Sequence, residues 1–525
     1  MARWFNTAGP CVPRNHFMIP AARRLPEIPR LVAREGYFVV HAPRQTGKTT
    51  TLQALADELT ATGQYAALLF SCEAGRAWGD DIGAATRAIL ARVRAEAQNG
   101  LPVDLLPPPW PAAPDGALFA QALTEWARAC PRPLVLFLDE IDALHGQTLI
   151  SVLSQLRDGS RGRPANFPMS VALCGLRDVR DYRAASGGDP SRLGTASPFN
   201  IKVRSLRLGN FSADEVRDLY AQHTADTGQV ITADAVARVF ELTAGQPWLV
   251  NALAAEIVDE MAVPVSTPIT GDQVELAKER LILARATHLD SLVDKLTEPR
   301  VRRVIEPVLA GTTLLSDPYD DDLSYTRDLG LITPDPPVRI ANPIYREIIP
   351  RVLAADVTAN VTAEPRSFVR EDGRLDLAKL LAEFADFWRL NGDVLAARQV
   401  YHEAAPQLVM MAFLQRLING GGYVEREYGV GRGRIDLLIR WPHPGSDGRR
   451  VWQREALELK VRGGGDADPL REGLTQLDAY LDRLGLDTGT LVVFDRRPSA
   501  PAIHERTCID TTTSPAGRTI TLLRG

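Results

Sequence analysis

At 525 residues the chain exceeds what one hydrophobic core supports, so roughly two to four domains are expected. Its composition, 45% hydrophobic and 24% charged, is ordinary for a globular protein, and a net charge of −5 gives no chain-wide basic field, so nucleic-acid contact would need a local patch. Its longest apolar runs, such as Leu134–Leu138, are too short to span a bilayer, and Met1–Arg14 lacks the apolar core of a secretion signal.

Taken in chain order, Tyr37–Ala42 reads as a short buried strand that runs into a loop. A helical pattern follows, with Leu52, Leu55, Ala56 and Leu59 on one face. Tyr65–Ser71 reads as a second strand, Leu101–Pro114 as a proline-rich surface loop, and Pro133–Leu138 and Met169–Cys174 as two more strands separated by the helical Thr148–Arg157. Such alternation implies a parallel sheet covered by helices. After about Arg207 the pattern turns helical. Ser212 and Glu215 form a capping box, Thr232 is a candidate cap, and Asp214–Tyr220, Ala233–Leu242 and Pro247–Met261 make a small bundle. Val301–Leu309, Asp320–Gly330 and a β-wing over Leu331–Ile340 outline a winged helix. Val357–Arg374 reads as a linker and Leu375–Leu390 as an amphipathic helix. The remainder reads helix (Tyr401–Ile418), three strands (Tyr423–Tyr428, Arg434–Trp441, Trp452–Arg462), helix (Pro469–Leu484) and strand (Thr490–Asp495). Five scattered cysteines, Cys11, Cys72, Cys130, Cys174 and Cys508, have no metal spacing and fit a reducing cytoplasm.

The segment His41-Ala-Pro-Arg-Gln-Thr-Gly-Lys-Thr-Thr50 lies between a strand and a helix, where phosphate is best bound. Amides of Gln45 to Thr49 point inward, Lys48 reaches the β- and γ-phosphates of ATP, and the Thr49 hydroxyl ligates Mg²⁺. Pro43, Arg44, Gln45, Thr46, Gly47 and Thr50 complete the nucleotide-binding loop. Ala42 stands where this pattern has its first glycine, which requires a negative φ there. Leu134-Val-Leu-Phe-Leu-Asp-Glu-Ile-Asp142 supplies the partner strand: Asp139 holds Mg²⁺ through water and Glu140 polarises the attacking water. Only six of the 60 basic residues are lysine, and two of them, Lys48 and Lys460, fall in the two motifs that carry chemistry.

These motifs, together with Phe5-Asn-Thr, Cys174-Gly-Leu-Arg-Asp-Val-Arg180, Gly245-Gln-Pro-Trp-Leu249 and Asn342-Pro-Ile-Tyr-Arg-Glu347, resemble bacterial AAA-like ATPases related to archaeal-type and STAND P-loop ATPases. The resemblance covers about residues 1–355. It implies an ATPase core (1–210), a helical lid (211–290) and a winged helix (291–356). It also implies Arg177 or Arg180 as a γ-phosphate sensor, and Gly245–Pro247 as the place where the lid meets nucleotide. Such ATPases often complete a neighbour's site with an arginine, which leaves a homo-oligomer open.

Beyond a linker and helix (357–395) lies a second constellation, Gly431-Arg-Gly-Arg-Ile-Asp436 and Glu458-Leu-Lys460. Alternation puts Glu458 and Lys460 on one strand face, where Asp436 can meet them from the preceding strand. Two carboxylates and a lysine suit a Mg²⁺ ion that polarises a phosphodiester. Gln476 and Tyr480 share one face of the following helix. The order of elements, with Asp436, Glu458, Lys460 and Gln476 in register, resembles the PD-(D/E)XK nuclease superfamily over residues 396–525. That resemblance makes Asp436 and Glu458 metal ligands, Lys460 the catalytic lysine, Gln476 the residue of the motif helix, and Glu403 or Gln407 the contribution of the first helix.

The expected protein is thus α/β throughout: a cytoplasmic P-loop ATPase with lid and winged helix, fused to a nuclease-like α/β domain that acts on DNA under ATP control, with no membrane contact. The alternative is a STAND-like signalling switch whose C-terminal domain binds nucleic acid or a partner without cutting.

Overall fold

A buried parallel strand must be apolar on both faces, and Leu134–Asp139 is buried along its whole length. In the computed structural model it is the third strand (β3) of a five-stranded parallel sheet with β1 (Tyr37–His41), β2 (Ala66–Ser71), β4 (Ser170–Gly175) and β5 (Arg204–Arg207), in the order β2-β3-β4-β1-β5. The structure describes residues 3–177, 204–284, 294–296, 298–309, 314, 317, 320–353, 365–398, 405–418, 422–430, 433–445, 450–463, 467–497 and 499–525. The chain forms two compact units, Met1–Ala286 with Ser324–Ile332, and Thr287–Leu323 with Thr333–Gly525.

In the first unit, strand alternation feeds two cores. Leu134, Leu136 and Leu138 face helices Ile82–Gly100, Leu118–Ala129 and Gly146–Gly159, which contribute Ile89, Trp126 and Leu153 among others. Val135 and Phe137 face the other way, onto Leu52, Leu55 and Leu59 of helix Lys48–Ala61. Each such side chain contributes about 1.5–3 kcal/mol by leaving water. The four expected strands of this sheet and the helix over Thr148–Arg157 are present within one or two residues at each end, while β5 and helices Ile82–Gly100 and Leu118–Ala129 were not read from the sequence.

The residues read as a lid begin at helix Ala213–Thr227, where both bonds of the Ser212–Glu215 capping box form. Thr232 precedes helix Ala233–Thr243 but does not cap it; its hydroxyl donates instead to the Ile269 carbonyl at 2.8 Å, tying the helix start to a later segment. The expected helix over Pro247–Met261 is α-helical to Ala255 and widens into a π-turn over Glu256–Glu260. A further helix, Gly271–Leu283, follows.

The stretch read as a winged helix divides between the two units. Helices Pro299–Leu309, Asp321–Asp328 and Pro343–Leu353 form, but the wing does not form as paired strands. Leu331–Ile340 holds isolated bridge positions, a Thr333 N–H to Arg339 carbonyl bond and a Thr333 hydroxyl that donates to the Pro337 carbonyl and accepts the Arg339 N–H. Pro334, Pro336 and Pro337 withhold the amide donors that a longer ladder needs.

The second unit is built on a six-stranded mixed sheet, β10-β11-β9-β8-β7-β6. β6 (Tyr423–Val430), β7 (Gly433–Pro444) and β8 (Arg450–Arg462) are antiparallel. Helix Leu470–Leu484 then crosses over to β9 (Thr488–Asp495), which pairs parallel to β8. Leu474, Leu477 and Leu481 of that helix cover Leu438, Ala456 and Leu491. Among the residues of helices Leu377–Arg398 and Ala405–Ile418, Phe384 meets Phe413 and Trp388 meets Phe494 of β9. The sheet extends further than the sequence reading gave, through β10 (Cys508–Thr513) and β11 (Thr519–Arg524). Among the described residues no helix is long and apolar enough to cross a membrane.

Candidate active sites

β1 delivers the chain to the phosphate-binding loop. Left-handed conformations fall at Gln45 (φ 57°) and Gly47 (φ 84°), not at Ala42, so the alanine in the first glycine position is unstrained. Thr46 is buried, and its hydroxyl donates to the Pro43 carbonyl at 2.8 Å, bracing the loop; Arg44 and Gln45 are exposed. The Lys48 ammonium donates to the carbonyls of Ala42 (2.6 Å) and Pro43 (3.0 Å). Burial pushes its pKa below the ordinary value, and Asp139 and Asp142 oppose that shift. The Thr49 hydroxyl donates to Asp139 Oδ2 at 2.6 Å, so the two residues expected at Mg²⁺ meet. Burial raises the Asp139 carboxyl, and the Thr49 bond opposes the rise. Glu140 leaves β3 in a left-handed conformation (φ 54°), and its carboxylate accepts from the Ser71 hydroxyl at the end of β2.

In the second unit, Glu458 and Lys460 share one face of β8, with Lys460 Nζ 3.1 Å from Glu458 Oε1. Lys460 also donates to Gln476 Oε1 from helix Leu470–Leu484, and Gln476 Nε2 donates to Glu472 at 3.1 Å. Asp436 lies on β7 one residue before Leu437, the partner of Leu457; its carboxylate accepts the Leu459 N–H at 2.8 Å. Glu458 is 3% exposed, and its Oε2 has no hydrogen-bond partner among the described residues. Burial, reinforced by the charge of Asp436 and opposed by Lys460, pushes its pKa up to about 8. Tyr480 lies one turn beyond Gln476 on the same helix, partly buried against its core. Among the described residues no group of three or more His, Cys, Asp or Glu side chains gathers around a cation-sized space. Gly431, Arg432 and Glu403 lie outside the described residues; Gln407 is in helix Ala405–Ile418.

Residues 32–182 match a family model described as an AAA domain. This region is a P-loop ATPase domain of the AAA type. No curated protein matches the chain. Solved structures similar to it include the Walker-type ATPase of Pyrococcus abyssi, at 12% identity over 66% of this chain and 99% of that one (TM-score 0.45). The RuvB Holliday junction branch migration motor of Thermotoga maritima is similar at 15% identity over 63% and 93% of the two chains (TM-score 0.34). The ORC2 protein of Aeropyrum pernix is similar at 15% identity over 64% and 92% (TM-score 0.35).

Around the loop of the ATPase domain stand further side chains, of which Ser71, Cys11 and Asp328 were not revealed by the motifs. Ser71 holds Glu140, as described. Gln246 donates to the Gln45 carbonyl at 3.4 Å and accepts the Leu249 N–H, so it both caps its helix and touches the loop, while Pro247 opens that helix. Gly245 is required beneath it: at φ 71° an added Cβ would stand 1.9 Å from the Phe211 carbonyl oxygen. The amino-terminal segment reaches both sides, with the Cys11 N–H on the Thr50 hydroxyl (2.9 Å) and the Trp248 indole on the Thr7 carbonyl (2.9 Å). Cys174, at the end of β4, is fully buried. Arg177 is buried as well and bonds Asp328, while Arg180 lies outside the described residues. None of Ser71, Cys11 or Asp328 carries a local sequence signal; each acts through a partner brought to it by the fold.

Proposed function

We propose that the ATPase domain gates a Mg²⁺-dependent nuclease of the PD-(D/E)XK kind in the second unit, and that the substrate is DNA. The observation that carries this reading is Glu458: a buried carboxylate with one oxygen lacking a partner, raised pKa, Asp436 beside it and Lys460 at 3.1 Å. A buried acid in that state costs stability unless something cationic is meant to sit against it. The donor set is all-oxygen, which suits Mg²⁺, and Asp436 and Glu458 would hold the ion. When bound, the ion would polarise a phosphodiester and lower the pKa of a bound water.

The chain's own residues do the rest. Gln476 and Glu458 fix the Lys460 ammonium, which offsets the charge that grows on the phosphate. At the ATPase site Lys48 takes the β- and γ-phosphates against the loop amides. Thr49 and Asp139 would hold Mg²⁺, and Glu140 orients the attacking water once it leaves Ser71.

The test uses the full chain with Mg²⁺ on single-stranded DNA, duplex DNA and RNA, with and without ATP. Wild type is expected to nick DNA, and Asp436→Ala and Lys460→Ala to abolish nicking while leaving ATP hydrolysis intact. Binding without cutting on every substrate would replace this reading with a STAND-like switch whose second unit only binds.

A further inference from the structure

Arg177 and Asp328 are 151 positions apart in sequence and meet inside the first unit. Arg177 Nε donates to Asp328 Oδ2 at 3.3 Å, and the two side chains are 7% and 12% exposed. The guanidinium also lies over the Tyr325 ring, 5.1 Å from its centroid. Asp328 Oδ1 is 4.0 Å from His41 Nδ1, the residue that begins the phosphate-loop motif. Gly330, at φ 78°, packs so closely on the same loop that an added Cβ would stand 2.9 Å from Pro43 Cβ. Arg207 on β5 donates to the Arg327 carbonyl at 3.3 Å. Ser324–Ile332 is therefore fastened to the carboxyl ends of β1, β4 and β5 by a short set of named contacts.

The position of Arg177 gives this fastening a chemical consequence. It leaves the end of β4, the strand that lies between β3, which carries Asp139, and β1, which feeds the loop. The preceding amide, Leu176 N–H, donates to Asp142 at 3.3 Å. Arg177 thus follows the strand that lies between the Asp139 strand and the strand that feeds the loop, on the same sheet edge as both. A guanidinium binds carboxylate and phosphate with the same planar fork, and a terminal phosphate carries more charge than a carboxylate.

We propose that Asp328 is a positioning residue of the nucleotide site that competes with the γ-phosphate of ATP for Arg177, so that ATP, and not ADP, loosens Ser324–Ile332. This rests on the ATP reading above and on Arg177 as the phosphate-sensing arginine. The chain crosses between the units at Ala286–Thr287 and at both ends of Ser324–Ile332, so the loosened segment carries two of the three covalent routes by which nucleotide state can leave the ATPase domain. By linkage, a group that holds Arg177 away from phosphate must itself be held less firmly when the phosphate is present.

Two measurements on the full chain test this: equilibrium binding of ADP and of a non-hydrolysable ATP analogue, and hydrogen exchange of the amides in 324–332. Asp328→Asn is expected to raise the preference for the analogue over ADP about tenfold by freeing Arg177. Arg177→Ala is expected to abolish that preference, and the double variant to match Arg177→Ala alone. In wild type the analogue, but not ADP, speeds exchange over 324–332; in Asp328→Asn exchange is fast with either nucleotide. Tyr325→Leu, which weakens the hold from the ring side, moves both readouts in the direction of Asp328→Asn and serves if that variant does not fold. An unchanged preference and unchanged exchange in these variants would overturn the inference while leaving ATP binding standing. A wild-type chain that binds neither nucleotide would overturn the ATP reading and the inference together.

Discussion

The two candidate sites each place a scarce lysine near the carboxyl end of a parallel strand, yet they are assembled from different material. In the ATPase domain the phosphate cradle is main chain, contained in His41–Thr50, and Lys48 rests on two backbone carbonyls of that same loop. In the second unit the site is made of side chains from two strands and a helix, spread from Asp436 to Gln476, and Lys460 rests on a carboxylate and an amide side chain. A cradle of amides keeps its shape when most of its side chains change. A cradle of side chains depends on strand register and on the packing of a separate helix.

That contrast can be broken at the lysines first. Lys48→Ala is expected to lower ATP turnover by about 10²–10³-fold and to weaken nucleotide binding in a direct titration. Turnover close to that of wild type would show that the loop amides suffice without the ammonium. Next comes the backbone itself. Gly245→Ala places a methyl group against the Phe211 carbonyl at a left-handed position, so a loss of roughly 2–4 kcal/mol is expected, read as a lower midpoint in urea unfolding. In the second unit Gln476→Ala should cut DNA nicking about tenfold, because Lys460 keeps Glu458 but loses its second anchor. Retention of full nicking would mean that Glu458 alone positions the lysine. The smallest effect sharpens the comparison most. Gln45→Gly relieves a left-handed non-glycine residue and should change stability by no more than about 1 kcal/mol while nucleotide affinity stays as it was. A large loss of affinity would show that the Gln45 side chain, rather than its backbone, serves the nucleotide.

The same contrast explains what the sequence made legible. A phosphate loop between a strand and a helix is contiguous, so Ala42–Thr50 and Asp139–Glu140 could be read directly, as could the parallel sheet with its fully apolar β3. Glu458 and Lys460 could be paired because strand alternation is a local rule. Helices Ile82–Gly100 and Leu118–Ala129 and the short β5 were not read at all, and three further features escaped because their causes are not local. Thr232 looked like a cap, but a carbonyl at Ile269 claimed its hydroxyl. The stretch over Leu331–Ile340 had the pattern of a wing, but its prolines leave too few donors for paired strands. β10 carries little apolar alternation; Cys508–Thr513 is a mostly exposed edge beside β11, so hydrophobic pattern gave no sign of it. The contacts of Arg177 with Asp328 and of Ser71 with Glu140 join residues far apart in sequence, and no spacing rule anticipates them.

The indole of Trp248 is 9% exposed, sits one residue past Pro247 at the start of a lid helix, and bonds the Thr7 carbonyl of the amino-terminal segment. That same segment reaches the Thr50 hydroxyl through Cys11. A fluorophore is therefore built into the seam between this helix and the loop, shielded from solvent and tied to the amino-terminal segment. Any opening of that seam would wet the ring and shift its emission to the red, and because the chain holds eight tryptophans, the part of the shift that Trp248→Phe removes is the part that reports the seam.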